Sequence, residues 1–144
     1  MKESNRVFID ADGFIALNVT NHKLYLKAVQ TLNFLDEVNS ELYTASYVLL
    51  EVATVINMRV KAGLGTEVIE EIMGDPQIVV IGGDKYLDAG IDKLKTQRSK
   101  NISLFDCTYF AIVEDLGINS VFSFDKHWAK NGFNLITVSG LQAV

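Results

Sequence analysis

Hydrophobic residues occur along this chain in short runs that alternate with stretches of helical spacing. Residues 7–9 and 78–81 are apolar throughout, as expected of buried strands. Residues 23–38 instead carry apolar side chains three or four positions apart, which predicts an amphipathic helix. This alternation predicts an α/β protein with a mostly parallel sheet of about five strands and helices on both faces.

Turn and capping residues set the predicted boundaries of these elements. Ser46, Thr66, Asp84 and Ser103 can each cap a helix that follows. The predicted strands are residues 6–10, 42–45, 78–81, 119–124 and 135–138. The predicted helices are residues 23–38, 46–61, 66–74, 84–97 and 103–116.

Four acidic residues lie within hydrophobic runs or directly at their ends: Asp10, Glu51, Asp106 and Asp125. A buried lone carboxylate costs several kcal/mol unless it is paired or bound to a cation. Asp10 and Asp125 each follow a predicted strand, and sites in parallel sheets form beyond the carboxyl ends of the strands. Together the four acids predict one acidic pocket that holds a divalent metal ion.

Each acid also has a purely structural explanation. Asp10 can belong to a turn after its strand, and Asp125 can cap a turn or helix. Asp106 stands three residues after Ser103, as in a capping box. Glu51 has no cation three or four residues away on its helix, so its structural alternative is an ion pair with a distant residue.

The net charge of −5 argues against a general nucleic-acid binder, which needs lysine and arginine to neutralise phosphates. Residues 93–100 nevertheless form a local basic patch that includes Lys95 and Arg98, although a solvated helix face and loop is the favoured explanation. Cys107 is the only cysteine, and we see neither a signal peptide nor a membrane span. These features predict a protein of the reducing cytoplasm.

The chain resembles the PIN-domain ribonucleases over nearly its full length, and most of all the toxins of VapBC-type toxin–antitoxin pairs. Four blocks carry the resemblance: residues 8–10, 46–51, 102–111 and 121–128. It implies one PIN-like domain, residues 1–144, folded as a three-layer sandwich.

By this resemblance, the catalytic and metal-binding acids are Asp10, Glu51, Asp106 and Asp125. The family usually has serine, threonine or asparagine two residues after the first acid, and Asp12 stands there in this chain. Asp12 is therefore a secondary candidate ligand. Ser123 occupies the small hydroxyl position two residues before the last acid, and we expect it near the substrate.

The resemblance also implies an activity, a cofactor and partners. Acids that supply only oxygen ligands suit Mg²⁺ or Mn²⁺, and the implied reaction is metal-assisted hydrolysis of RNA phosphodiester bonds. Lys95 and Arg98 would guide the RNA towards the acids. The implied partners are a second copy of the chain and a small antitoxin, with no membrane involved.

Two other functions remain open from the sequence. Asp10 and Asp12 resemble the nucleophile and the acid/base of haloacid-dehalogenase-like phosphatases, and residues 83–88 resemble the final acidic motif of that family. Against this, Phe14 replaces the usual threonine, and residues 89–144 are left without a role. The other alternative is a PIN scaffold without catalytic activity that binds a protein or RNA.

Overall fold

Five parallel strands form one sheet in the part of the chain that a computed structural model describes, residues 5–137. The strands are β1 Arg6–Ile9, β2 Glu41–Ala45, β3 Ile78–Ile81, β4 Ser120–Phe122 and β5 Asn134–Leu135. The helices are α1 Ala11–Asn18, α2 Tyr25–Glu37, α3 Ser46–Arg59, α4 Leu64–Gly74, α5 Leu87–Thr96, α6 Leu104–Asp115 and α7 His127–Lys130, with a 3-10 turn at Asp84–Tyr86. The parallel sheet with helices on both faces confirms the predicted fold class.

The order of the strands in the sheet is β3-β2-β1-β4-β5. The chain builds outward from β1 through β2 to β3, and then returns to place β4 on the other side of β1. The carboxyl ends of β1 and β4 are therefore adjacent at the point where the winding direction changes. Open α/β sheets bind their ligands at such a point.

The core lies around β1 and α6. Phe8 and Ile9 are fully buried, and every residue from Cys107 to Val113 on α6 is buried. The rings of Phe8 and Trp128 lie 5.7 Å apart, and Trp128 packs edge-on against Phe110 at 4.9 Å. The middle of α6 is therefore enclosed on all sides. Its first turn carries Asp106, whose repulsion of Asp10 places it near the end of β1.

Three of the four predicted caps are wrong, and two of them are the hydroxyl residues Ser46 and Thr66. Ser46 is the first residue of α3, and its hydroxyl accepts a hydrogen bond from the Gly83 amide at 2.9 Å instead of capping the helix. Thr66 lies inside α4, where its hydroxyl donates to the Gly63 carbonyl at 2.9 Å. Both hydroxyls bond to other backbone groups, which a capping pattern read locally does not reveal.

Asp84 is also not a helix cap. It opens the 3-10 turn, and its carboxylate accepts a hydrogen bond of 2.6 Å from the Tyr47 hydroxyl. By contrast, Ser103 caps α6 as predicted, and the reciprocal bonds with Asp106 complete a capping box. The sequence pattern did not predict the short helices α1 and α7.

The edge position of β3 corrects one expectation about burial. Its apolar sequence predicted cover on both faces, but Val79 is 46% exposed because β3 pairs with β2 alone in the described chain. At the other edge, β5 is shorter than predicted, and Val138 lies outside the described residues. Among residues 5–137, no helix has the length and apolar character that crossing a bilayer requires.

We predict that Gly90→Ala destabilises the protein by about 1–3 kcal/mol, because α5 and α6 pack too closely for a side chain there. A Cβ atom at Gly90 would lie 2.5 Å from Oγ1 and 3.0 Å from backbone atoms of Thr108. Gly74→Ala is the matched control, since nothing lies within 4 Å of the added atom. It should be neutral or stabilising by up to about 1 kcal/mol. Urea unfolding measures both, and equal effects at the two positions would contradict the close packing.

Candidate active site

Asp10 is the most enclosed of the predicted acids, with 7% of its surface exposed. It ends β1 and caps α1, where its Oδ1 accepts from the Ala11 amide at 2.8 Å. Its Oδ2 accepts from the Ser123 hydroxyl at 3.0 Å and from the Trp128 indole Nε1 at 2.9 Å. Both oxygens are therefore held in place, and the indole donor was not predicted from the sequence.

Ser123 connects three of the acids. Its hydroxyl lies 3.0 Å from Asp10 Oδ2 and 3.1 Å from Asp12 Oδ1, and it accepts from the Asp125 amide at 3.1 Å. The Phe124 amide donates to Asp12 Oδ2 at 3.0 Å. A hydroxyl has one proton, so Ser123 can donate to only one of the two carboxylates at a time.

Ser123 is completely buried, and its hydroxyl lies among the acids. Its hydrogen bonds position Asp10 and Asp12. A contact between Ser123 and the substrate stays a prediction.

Glu51 lies half-buried on α3, and its carboxylate accepts a 2.5 Å hydrogen bond from the Tyr109 hydroxyl of α6. No lysine, arginine or histidine among residues 5–137 lies within ion-pair distance of Glu51, so an ion pair does not explain its position. The rest of α3 is apolar but not buried on all sides, because Leu50 and Met58 are largely exposed.

Asp106 and Asp125 both make local hydrogen bonds. Asp106 Oδ2 accepts from the Ser103 amide at 2.9 Å, which leaves Oδ1 without a hydrogen bond to the described residues. Asp125 Oδ1 accepts from the His127 amide at 3.0 Å and lies 3.5 Å from the imidazole Nε2. The structural roles foreseen for these acids are thus real, and each leaves a carboxylate oxygen for a further role.

The electrostatics show that the acids share one region. Burial is the main cause that raises the pKa of Asp10 and of Asp12, the latter to about 7, and repulsion from Asp10 contributes to the shift at Asp12. Burial, followed by repulsion from Asp10 and Asp106, raises the pKa of Glu51 to about 7, although the Tyr109 hydrogen bond opposes the shift.

Asp125 joins the same region through its repulsion of Asp12. Burial and the nearby Glu51 carboxylate also raise the pKa of Tyr109, so its hydroxyl stays a hydrogen-bond donor. No cation appears among the causes of any of these shifts.

These oxygen-rich side chains fit a hard divalent cation such as Mg²⁺ or Mn²⁺. The raised pKa values mean that no positive charge offsets the negative charges of these carboxylates, and a bound cation would offset them. Within the described residues, no three acids, histidines or cysteines are already arranged as a set of metal ligands.

Two other features lie apart from the acids. Lys95 and Arg98 are exposed, and the contact found for Lys95 is a 3.9 Å pair with Asp92 rather than with any predicted site residue. A cleft of about 710 Å³ between α2, β2 and β3 is lined by residues such as Leu32 and Ile78 and by none of the predicted acids. The site is therefore a surface at the carboxyl edge of the sheet, distinct from this cleft.

Comparisons with known proteins agree with this geometry. A family model described as the PIN domain matches residues 7–134. The chain is also similar to a solved structure, that of VapC20 from Mycobacterium tuberculosis, described as a toxin that cleaves the sarcin–ricin loop. The TM-score is 0.81 at 19% identity, covering 91% of this chain and 98% of that one. A search of curated proteins found no matching relative.

We predict that the metal-free protein loses thermal stability as the pH rises from about 4 to about 7. The pKa of Asp12 is raised from 3.8 to about 7 on folding, and that of Glu51 from 4.5 to about 7. Groups with raised pKa values favour the folded state at low pH, and this contribution is lost as the pH passes through the folded value.

Melting temperatures in the presence of a chelator test this dependence. Asp12→Asn should make the loss smaller, because the asparagine oxygen can still accept from the Phe124 amide but the side chain has no charge to bury. A melting temperature that rises over the same pH range in the wild type would contradict the predicted shifts.

Proposed function

Since this chain belongs to the PIN domain family, we propose that it is a metal-dependent endoribonuclease and the toxin of a toxin–antitoxin pair. The observation that carries the proposal is the group of acids that repel one another at the sheet edge without a compensating cation in the described chain. The likeness to the VapC20 toxin supports the RNA substrate. Lys or Arg partners at these acids would have indicated a structural ion-pair network instead.

Asp10, Glu51, Asp106 and Asp125 would hold the metal ion, with Asp12 as a secondary ligand. When bound, Mg²⁺ or Mn²⁺ would activate water for attack and neutralise charge on the scissile phosphate.

Neighbouring residues of the chain hold these acids in position. The Trp128 indole and the Ser123 hydroxyl fix Asp10, and the Tyr109 hydroxyl fixes Glu51. Such supporting hydrogen bonds orient metal ligands and keep them ready for the ion.

The proposed partners follow from the same family. A small antitoxin would silence the enzyme, and a basic side chain of that antitoxin suits a site that has an excess of carboxylates. We also propose that the chain forms a homodimer and works in the cytoplasm.

The phosphatase alternative has little support. It assigns no role to Glu51 or Asp106, although both interact electrostatically with Asp10. The Asp84 carboxylate, which belongs to the stretch that resembles the final phosphatase motif, accepts a hydrogen bond from Tyr47. An assay with a small aryl phosphate beside an RNA assay separates the two activities.

We predict that Asp106→Asn lowers Mg²⁺-dependent RNA cleavage by more than about a hundredfold, because one proposed ligand charge is removed. The metal-free variant should be as stable as the wild type or more stable. The asparagine oxygen can still accept from the Ser103 amide, while the repulsion of Asp10 and Glu51 by residue 106 disappears. Cleavage of labelled RNA and thermal melting with a chelator measure the two effects.

Ser103→Ala is the matched control for this experiment. It removes the hydroxyl that accepts from the Asp106 amide, so it should cost about 1 kcal/mol of stability. It keeps the Asp106 carboxylate and should retain most of the activity. If Asp106→Asn unfolds instead, Asp106 is mainly a structural cap. Failure of the wild type to bind Mn²⁺ in calorimetry would favour the scaffold without catalytic activity.

We predict that replacing both Lys95 and Arg98 by alanine weakens RNA binding and flattens its salt dependence. Two lost phosphate contacts would reduce the slope of log affinity against log salt by about 1.4 for a single strand. The control variant replaces Arg59 and Lys61 by alanine and so also removes two positive charges. Arg59 lies about 12 Å beyond Glu51 along α3, at about 1.5 Å per residue. An unchanged slope in the Lys95/Arg98 variant would reject the guiding role.

A further inference from the structure

Phe105 is an exposed aromatic residue immediately before Asp106. It is 42% exposed although it lies in the first turn of the most buried helix, α6. Single exposed apolar residues are common on protein surfaces and need no explanation. What sets Phe105 apart is its fixed place beside the acids.

Two ring contacts and a capping box fix Phe105. Its ring meets that of Tyr47 edge-on at 6.1 Å and packs against that of Tyr109 at 6.4 Å. We call these three side chains the aromatic row. The capping box between Ser103 and Asp106 holds the backbone of the turn that carries Phe105.

The aromatic row runs along the acids. Tyr109 donates its hydroxyl proton to Glu51, and Tyr47 lies one turn before Glu51 on α3. Two contacts hold Tyr47. Its hydroxyl bonds to Asp84, and its ring lies so close to Gly83 that a Cβ atom there would come within 2.8 Å of it. The exposed member of the row, Phe105, is thus supported by two rings, directly precedes Asp106 in the chain and packs against the tyrosine that bonds to Glu51.

The charge of the site indicates what such a surface would hold. The acids have no ion pair with lysine or arginine in the described chain, so the immediate surroundings offer little attraction for RNA phosphates. Stacking of an unpaired base on an aromatic ring needs no charge and contributes about 1–3 kcal/mol per base. Proteins bind single-stranded RNA in this way when its bases are splayed out.

We propose that Phe105, supported by Tyr47 and Tyr109, stacks against one unpaired RNA base next to the scissile phosphate. This inference rests on the proposed ribonuclease function and extends it to the substrate, which must present an unstacked base at the cleavage site. Phe105 is then a specificity-determining residue that holds one nucleotide, whereas the acids act on the phosphate.

The test combines a protein variant with a modified RNA. A single-stranded RNA that the wild type cleaves is first selected from a random pool, and abasic nucleotides are then placed one at a time around the cut. On the intact RNA, Phe105→Leu should reduce kcat/KM about tenfold, whereas Phe105→Trp should retain it. At one abasic position, the kcat/KM of the wild type should fall to that of Phe105→Leu, and the kcat/KM of Phe105→Leu should not change.

The control variant is Leu26→Ala, which removes another exposed apolar side chain, 71% exposed on α2, and should cleave every RNA like the wild type. An unchanged melting temperature shows that Phe105→Leu is folded. Wild-type rates for Phe105→Leu on the intact RNA would overturn the proposal. The proposal would also be overturned if Phe105→Leu lost the same factor in kcat/KM, relative to the wild type, on every abasic RNA. Such a result would indicate an effect on the fold or on a protein contact.

A binding measurement separates failure of this proposal from failure of the proposed function. If the wild type cleaves no RNA, the ribonuclease assignment is wrong. RNA that carries 2-aminopurine is then titrated with the wild type and with Phe105→Leu. Fluorescence quenching by the wild type alone would keep the stacking surface as a binding site, and equal quenching or none would overturn it.

Discussion

The burial of carboxylates at one edge of the sheet is the constraint on which the rest of the structure depends. Burial raises the pKa of Asp10, and repulsion from Asp106 adds to the shift. The fold offsets this cost with donors from separate elements: the Trp128 indole from α7, the Ser123 hydroxyl from the end of β4 and the Ala11 amide from α1. Three elements therefore contribute donors that lower the cost of burying Asp10.

The sheet topology explains why these elements meet. Because β4 returns to the side of β1, Ser123 and Asp125 come next to Asp10, although more than a hundred residues separate them along the chain. The enclosed helix α6 then presents its first turn to the same edge, with Asp106 held by its capping box. The buried part of α6 thus determines where Asp106 and the exposed ring of Phe105 lie in the site.

Local signals in the sequence were sufficient for some elements and insufficient for others. The run Ile78–Ile81 and the capping pair Ser103 and Asp106 were predicted correctly because their signals lie within a few neighbouring residues. Trp128 and Tyr109 were missed as partners of the acids because their contacts span 118 and 58 residues. The exposure of β3 was also mispredicted, because an apolar run does not reveal whether its strand lies at an edge.

The proposed function has to reconcile a chain of net charge −5 with a polyanionic substrate. A broad basic groove would bind RNA along its whole backbone, with little regard to its bases. Acids that act only with a cation, beside the single exposed ring of Phe105, instead limit the attraction to a short stretch of the strand. Weak general binding then becomes an advantage, because only an RNA that presents both an accessible phosphate and an unstacked base gains the full set of contacts. Discrimination among RNAs would then arise from the shape of the strand at one site.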